Sequence, residues 1–309
     1  MKIAIIGIGK MGLNHAKTIE KHNECELVGF LDLSQKAIDN ALSIYPDKIQ
    51  FKSVHQISTM CDAVIIAVPT SVHYEYLSQC LRVNINVLCE KASVASLDDY
   101  HYVNSFLGDF NKTINIGHVE RFNPCVKTFK NLNIDNSKKV YAKFYRHSNT
   151  TRNEDVSCIF DTMIHDIDLA LYMFNLGEFR RVYIKKIKES EGYIYSVNCV
   201  CVFDNGTISF SSDKRGKFPK REFFYTDGLN DYRFFLSELN YTHNNKFNMC
   251  EISDKDQLTQ QLDAFMDACK GKENKGVTLE QNKKSIQIAN EIELEIENYL
   301  SLIESENYI

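Results

Sequence analysis

Six residues constrain this chain more than any others: Gly7-Ile8-Gly9-Lys10-Met11-Gly12. They follow the apolar run Ile3 to Ile6 and open a helical pattern that reaches about His22. Twenty positions after Gly12, the next apolar run, Leu27 to Leu31, ends on Asp32. This strand–turn–helix spacing is one a dinucleotide requires. Gly7 permits the tight turn, Gly9 lets the backbone approach a pyrophosphate, and Gly12 allows close packing of helix on strand. The helix start, with Lys10 and Met11, offers N–H groups and a positive dipole end to phosphates. Asp32 would accept hydrogen bonds from the adenosine ribose hydroxyls and repel a 2′-phosphate. NAD is therefore favoured over NADP, although Lys36 is near enough in sequence to keep NADP open.

The first third of the chain continues in that alternation. Ala63 to Val68 is an apolar strand pattern stopped by Pro69, and a helical stretch runs from about Val72 to Leu81. Strand patterns near Asn86 to Cys89 and Thr113 to Ile116 flank a helix near Leu97 to Leu107. Unalternating apolar strands between helices predict a doubly wound parallel sheet, the Rossmann arrangement, covered on both faces. The carboxyl edge of such a sheet faces its ligand. That edge carries Ala67-Val68-Pro69-Thr70, with His73 just beyond, and Cys89-Glu90-Lys91. Lys91 is either a solvated loop lysine or, beside a nicotinamide, a stabiliser of a developing alkoxide.

After about Gly117 the pattern changes to longer strands: Lys139 to Arg146, Arg181 to Ile187, Tyr193 to Phe203, Thr207 to Ser211 and Arg221 to Thr226. Asp204-Asn205-Gly206 predicts a tight hairpin turn. One helix, Phe160 to about Phe174, interrupts the strands, and two more close the chain, about Asp256 to Lys270 and Leu279 to Leu300. The second domain is thus predicted as α+β with a large open, mainly antiparallel sheet. The domains are placed at 1–118 and 119–309, with the terminal helices free to pack back on the first.

Composition narrows the function classes. A chain of 309 residues suggests about two domains. With 44% apolar and 25% charged residues, it is neither disordered nor collagen-like. Lys plus Arg is 36 against 41 Asp plus Glu, a net charge of −5, so the overall positive field of a nucleic-acid binder is missing. The 10 cysteines form no CxxC pair and are expected as reduced thiols. No run approaches the ~20 apolar residues of a membrane span. The amino-terminal apolar run is too short for a signal peptide. A cytoplasmic protein without nucleic-acid or membrane partners is expected.

In the second domain, Asp161, His165 and Asp168 fall at i, i+4 and i+7 of a helical pattern and are expected on one face. A carboxylate one turn before a histidine can orient its ring and raise its basicity, as general-base catalysis requires. A dipole-placed acidic cluster with a surface histidine is the plainer alternative. A zinc or manganese site is another, disfavoured by the lack of further ligands, and no metal is expected. The run Lys214 to Arg221 carries five cations in eight residues. It is expected as a solvated loop, or as an anion contact together with Arg152.

Assembled, these residues resemble the glucose-fructose oxidoreductase / inositol dehydrogenase / MocA-like family over nearly the whole chain. The resemblance rests on GIGKMG, AVPTSVH, CEKA at Glu90-Lys91-Ala92, GHVERFNP from Gly117 to Pro124, and FDTMIHDIDL. It implies NAD(P)-linked oxidation of a ring hydroxyl of a sugar or cyclitol. It matches the family's catalytic lysine to Lys91 and its Asp-xxx-His pair to Asp161 and His165, with the cofactor set extended to Pro69, Thr70, His73 and Glu90. It also implies a homodimer or homotetramer formed through the second sheet. GHVERFNP and MIHDIDL are most similar to a branch that includes UDP-N-acetylglucosamine 3-dehydrogenases, for which Arg121, Arg152 and the Lys214 to Arg221 run would suit an anionic nucleotide sugar, with Asn123 a further candidate substrate residue. Ala92 stands where the family usually has proline, which removes a constraint on the backbone beside Lys91. The other expectations are an inositol or free-hexose dehydrogenase, and a non-catalytic dinucleotide sensor.

Overall fold

The computed structural model describes residues 1–132, 134, 139–150 and 155–306. Along the first stretch run β1 (Lys2–Ile6), α1 (Lys10–Glu20), β2 (Glu26–Leu31), α2 (Gln35–Ile44), β3 (Ile49–Gln50), α3 (Val54–Met60), β4 (Ala63–Ile66), α4 (His73–Arg82), β5 (Asn86–Glu90), α5 (Leu97–Asn104) and β6 (Ile114–Gly117). Then come α6 (Pro124–Asn131), β7 (Val140–Asn149), a π-turn (Ile159–Met163), α7 (Ile164–Met173), β8 (Phe179–Ser190), β9 (Tyr193–Phe203), β10 (Gly206–Asp213), β11 (Arg215–Thr226), β12 (Asp231–Phe235), β13 (Asn240–His243) and β14 (Lys246–Met249). The chain closes with α8 (Gln257–Cys269), β15 (Val277–Thr278) and α9 (Leu279–Glu306). It divides into two compact units, Met1–Val119 with Lys255–Lys283, and Glu120–Asp254 with Lys284–Ile309. The segment holding α8 and β15 therefore belongs to the first unit.

The first unit is built on a sheet of order β15-β6-β5-β4-β1-β2-β3, parallel except for the β15–β6 pair. β1 lies between β2 and β4, so the strand order reverses there and opens a crevice at the carboxyl edge. Ile3, Ile5, Phe30, Ile65 and Leu88 are buried in one core cluster with Ile19 of α1 and Phe265 of α8. Serine side chains start the helices between strands. Ser34 accepts from Ala37 N, Ser53 from Gln56 N and Ser96 from Asp99 N, each satisfying a first-turn donor.

The second unit carries an eight-stranded sheet, order β14-β13-β12-β11-β7-β10-β9-β8. Its pairs are antiparallel except β7 with β10, which run parallel. One face packs beneath helices. Phe129 of α6 meets Phe174, Phe223, Tyr225 and Phe234 edge-on, with ring centroids 5.3 to 5.7 Å apart. Alternation puts Tyr141, Lys143, Tyr183 and Phe247 on the opposite face, where Tyr141 and Phe247 are more than half exposed.

All ten cysteines are free thiols. Among the described residues no helix is long and apolar enough to cross a membrane. Nor is any group of three or more His, Cys, Asp or Glu side chains placed to hold a metal.

Candidate active site

The glycine turn after β1 has the expected geometry. Gly7 sits at φ +88°, and a Cβ there would lie 2.6 Å from Val68 N. A Cβ on Gly12 would come 2.1 Å from the Gly7 carbonyl oxygen, so only hydrogen allows α1 to seat this close to β1. Gly9, the N-cap of α1, supplies no side-chain cap, and a Cβ on it would meet nothing within 4 Å. Lys10 and Met11 are exposed beside it. This bare helix start with open space ahead of it fits a dinucleotide pyrophosphate.

Asp32 is half-buried at the end of β2. Its Oδ2 accepts from Ile8 N and its Oδ1 from Ser34 N, each at 2.7 Å. A carboxylate has about four acceptor sites. Two backbone bonds thus fix its plane and leave acceptor capacity for ribose hydroxyls.

At the ends of β4 and β5 the side chains form a buried polar group. His15 of α1, 2% exposed, donates from Nε2 to Glu90 Oε1 at 2.7 Å. Burial pushes the Glu90 carboxyl up. The His15 hydrogen bond and charge, with Lys91 and His73, outweigh it and hold the group below its ordinary value. Glu90 Oε2 accepts from Lys91 N at 3.3 Å. His73 is buried, with Nδ1 2.6 Å from the Ala92 carbonyl oxygen and Nε2 2.9 Å from that of Val68. Burial pushes its imidazole below the ordinary value. A neutral ring donates from one nitrogen only, so it donates to one of these two carbonyls at a time. His73 ties the segments after β4 and β5 together, and Ala92, fully buried, is one of its anchors. The Lys91–Ala92 peptide bond is cis. Pro69 is exposed and Thr70 buried on the same edge. Lys91 is half-buried.

In the second unit the expected helix from Phe160 begins as the π-turn and becomes α-helical at Ile164. A π-turn holds about one more residue per turn, so the ideal i, i+4, i+7 face is not kept. Asp161 and His165 are both half-buried. Asp161 Oδ2 pairs with Lys214 Nζ at 2.6 Å. Asp168, 1% exposed, instead takes both Arg121 donors, Nε at 2.8 Å and Nη2 at 2.6 Å. The Arg121 guanidinium also lies 4.5 Å from the Tyr172 ring centroid. Asn123 is engaged as well. It caps α6 by accepting from Cys125 N at 2.9 Å, and donates to Glu120 and to the Leu236 carbonyl at 3.2 Å. Arg121 and Asn123, expected at substrate, thus also make contacts within the protein. Arg152, expected beside them, lies outside the described residues.

The basic run also departs from expectation. Lys214 is fully buried, not solvated. Arg215 begins β11, whose pairing to β7 is bulged between Arg215 and Lys220. Lys220 lies over the Tyr145 ring, 3.9 Å from its centroid, and Arg221 pairs with Glu120. Arg215, Lys217, Phe218, Pro219 and Arg221 are exposed, as a solvated run requires. Beneath them Arg146, 6% exposed, bonds Asp166 through Nε and Nη2 and Glu120 through Nη1. Sequence reasoning found neither His15, Arg146 and Glu120 nor the Lys214 partnership. Their partners lie 26 to 75 residues away in most cases and carry no local spacing.

The first unit is therefore an NAD-binding Rossmann domain. Residues 1–113 match the model of the GFO/IDH/MocA oxidoreductase family, described as an NAD-binding Rossmann fold. The chain is 28% identical over 188 residues to glucose-6-phosphate 3-dehydrogenase of Bacillus subtilis, covering 56% of this chain and 53% of that protein. It is 25% identical over 174 residues to UDP-N-acetylglucosamine 3-dehydrogenase of Acidithiobacillus ferrooxidans, covering 56% and 54%. These alignments span about half the length of either relative. The solved structure of the latter superposes with a TM-score of 0.82 at 18% identity, over 94% of this chain and 95% of that one. GenD2 from gentamicin A biosynthesis, solved in complex with NAD, superposes at 0.79 and 13% identity over 94% and 92%. The likeness in fold thus covers residues of both units.

Proposed function

We propose that this chain is an NAD-linked dehydrogenase acting on a secondary ring hydroxyl of an anionic hexose derivative, foremost a UDP-N-acetylhexosamine. The observation that carries the proposal is the pairing of a dinucleotide cradle with a lysine one residue beyond β5, on the same sheet edge. Bound NAD supplies the hydride acceptor. The chain supplies the rest. The bare N-terminus of α1 receives the pyrophosphate, and Asp32 orients the ribose. His165 takes the hydroxyl proton as hydride leaves the same carbon. Lys91 donates a hydrogen bond to that oxygen as negative charge develops on it, and Asp161 orients His165. The steps are reversible, so reduction of the keto-sugar uses the same groups.

An anionic substrate is supported by the two relatives. One is named for a sugar phosphate and the other for a nucleotide sugar, and both names place the reaction at carbon 3. A hexose phosphate is accordingly the second reading. Purified protein would be assayed by NADH formation against UDP-N-acetylglucosamine, glucose 6-phosphate, myo-inositol and glucose, with NAD+ and with NADP+. The anionic sugars are expected to react, and NAD+ to outperform NADP+. Reaction with the neutral polyols alone would remove the anionic assignment. NADH binding with no turnover on any sugar would replace the enzyme by a dinucleotide sensor.

A further inference from the structure

The second unit hides a full positive charge. Lys214 sits between β10 and β11 with no exposure to solvent. A buried ammonium is costly unless paired and hydrogen-bonded. Its partner is Asp161, with Nζ to Oδ2 at 2.6 Å, and the ammonium also lies 5.3 Å from the Tyr193 ring centroid. The lysine backbone is pinned on both sides. Its N–H donates to the Tyr195 carbonyl at 2.9 Å, and its own carbonyl accepts from Thr150 N at 2.8 Å. The neighbouring residue of the π-turn is stitched to the same strand. Thr162 Oγ1 is 2.6 Å from Ser212 Oγ and donates to the Cys158 carbonyl at 2.8 Å. Two successive residues of the turn are thus held by two positions at the end of β10.

We infer that Lys214 is a positioning residue for the reaction, fixing the Asp161 carboxylate at the turn that leads into His165. The inference rests on the functional reading above. A π-turn alone leaves the carboxylate with several rotamers. A rigid, desolvated ammonium selects one, because attraction is stronger where water is excluded. Lys214 touches neither substrate nor coenzyme in this scheme. It acts through Asp161, so it governs the chemical step and leaves coenzyme affinity alone.

The test is a kinetic cycle on the whole protein with NAD+ and the sugar that the wild type turns over. Lys214→Met is expected to lower kcat about tenfold to a hundredfold, the cost of a misplaced catalytic group, with NADH affinity within about twofold. In an Asp161→Asn background the same substitution should change kcat by less than about twofold, since the path through Asp161 is already cut. Lys214→Gln, which keeps a donor and much of the length, replaces Met if Lys214→Met does not fold, with the same outcome expected. Wild-type kcat in the folded lysine variant would overturn the inference and leave the dehydrogenase reading intact. So would an equal loss in both backgrounds, which would mark a structural role. An inactive wild type would overturn both.

Discussion

Replacing His165 with alanine should reduce turnover by about 10²–10⁴-fold, the usual contribution of a positioned acid–base group. NADH binding should stay within about twofold, because the substitution leaves the glycine turn, Asp32 and the α1 N-terminus unchanged. Lys91→Met should give a loss of the same order for a different reason. It removes the donor to the oxygen on which charge develops, a term that exists mainly in the transition state. The two variants should therefore lower kcat far more than they raise KM. Steady-state kinetics with NADH titration by fluorescence checks both. Wild-type turnover in His165→Ala would withdraw the base assignment.

The largest effect on stability is expected at Arg146. Its guanidinium joins two nearly dry carboxylates, Asp166 and Glu120, with side chains 4% and 3% exposed. Arg146→Met leaves the Asp166 carboxylate without its guanidinium, while Glu120 keeps Arg221, and breaking a buried pair in this way costs about 3–5 kcal/mol. The pH dependence has a definite sign. Burial pushes the Asp166 carboxyl up, and it remains above its ordinary value even though Arg146 pulls it down. Without Arg146 it moves further up, so the folded variant binds a proton more tightly than the unfolded chain does. Stability then rises as pH falls from 7 towards the carboxylate range. Urea unfolding of the variant at pH 7 and pH 5 should show the deficit shrinking at the lower pH. A deficit that is constant or grows would mean that the carboxylates do not carry it.

What the sequence disclosed follows from how far each interaction reaches along the chain. The glycine turn is local, because one positive φ and one helix–strand approach dictate Gly7 and Gly12, and both are visible in six consecutive letters. β1, β2, β4 and β5 carry apolar residues on both faces and stand out for that reason. β3, of two residues, and β12 to β14, whose aromatic and polar residues alternate at one edge of the sheet, carry no comparable pattern.

The second-unit site was legible in residue type but not in pairing. Helical spacing grouped Asp161, His165 and Asp168, yet the π-turn changed the register and Arg121 claimed Asp168. Charge density suggested a wet loop at Lys214 to Arg221. A bulged strand instead buries its first lysine against Asp161 and directs Arg221 to Glu120. Such pairs join residues remote in sequence, so composition shows the charges and only the fold shows their partners.

Hydride transfer itself can be followed directly. The protein would be incubated with NAD+ and a UDP-N-acetylhexosamine deuterated at its ring CH–OH carbons, and the reduced coenzyme analysed by mass spectrometry. One deuterium on the nicotinamide ring, absent with the His165→Ala variant over the same interval, is the predicted result. Tight coenzyme binding with no deuterium transferred from this or any other anionic or neutral sugar would contradict the account.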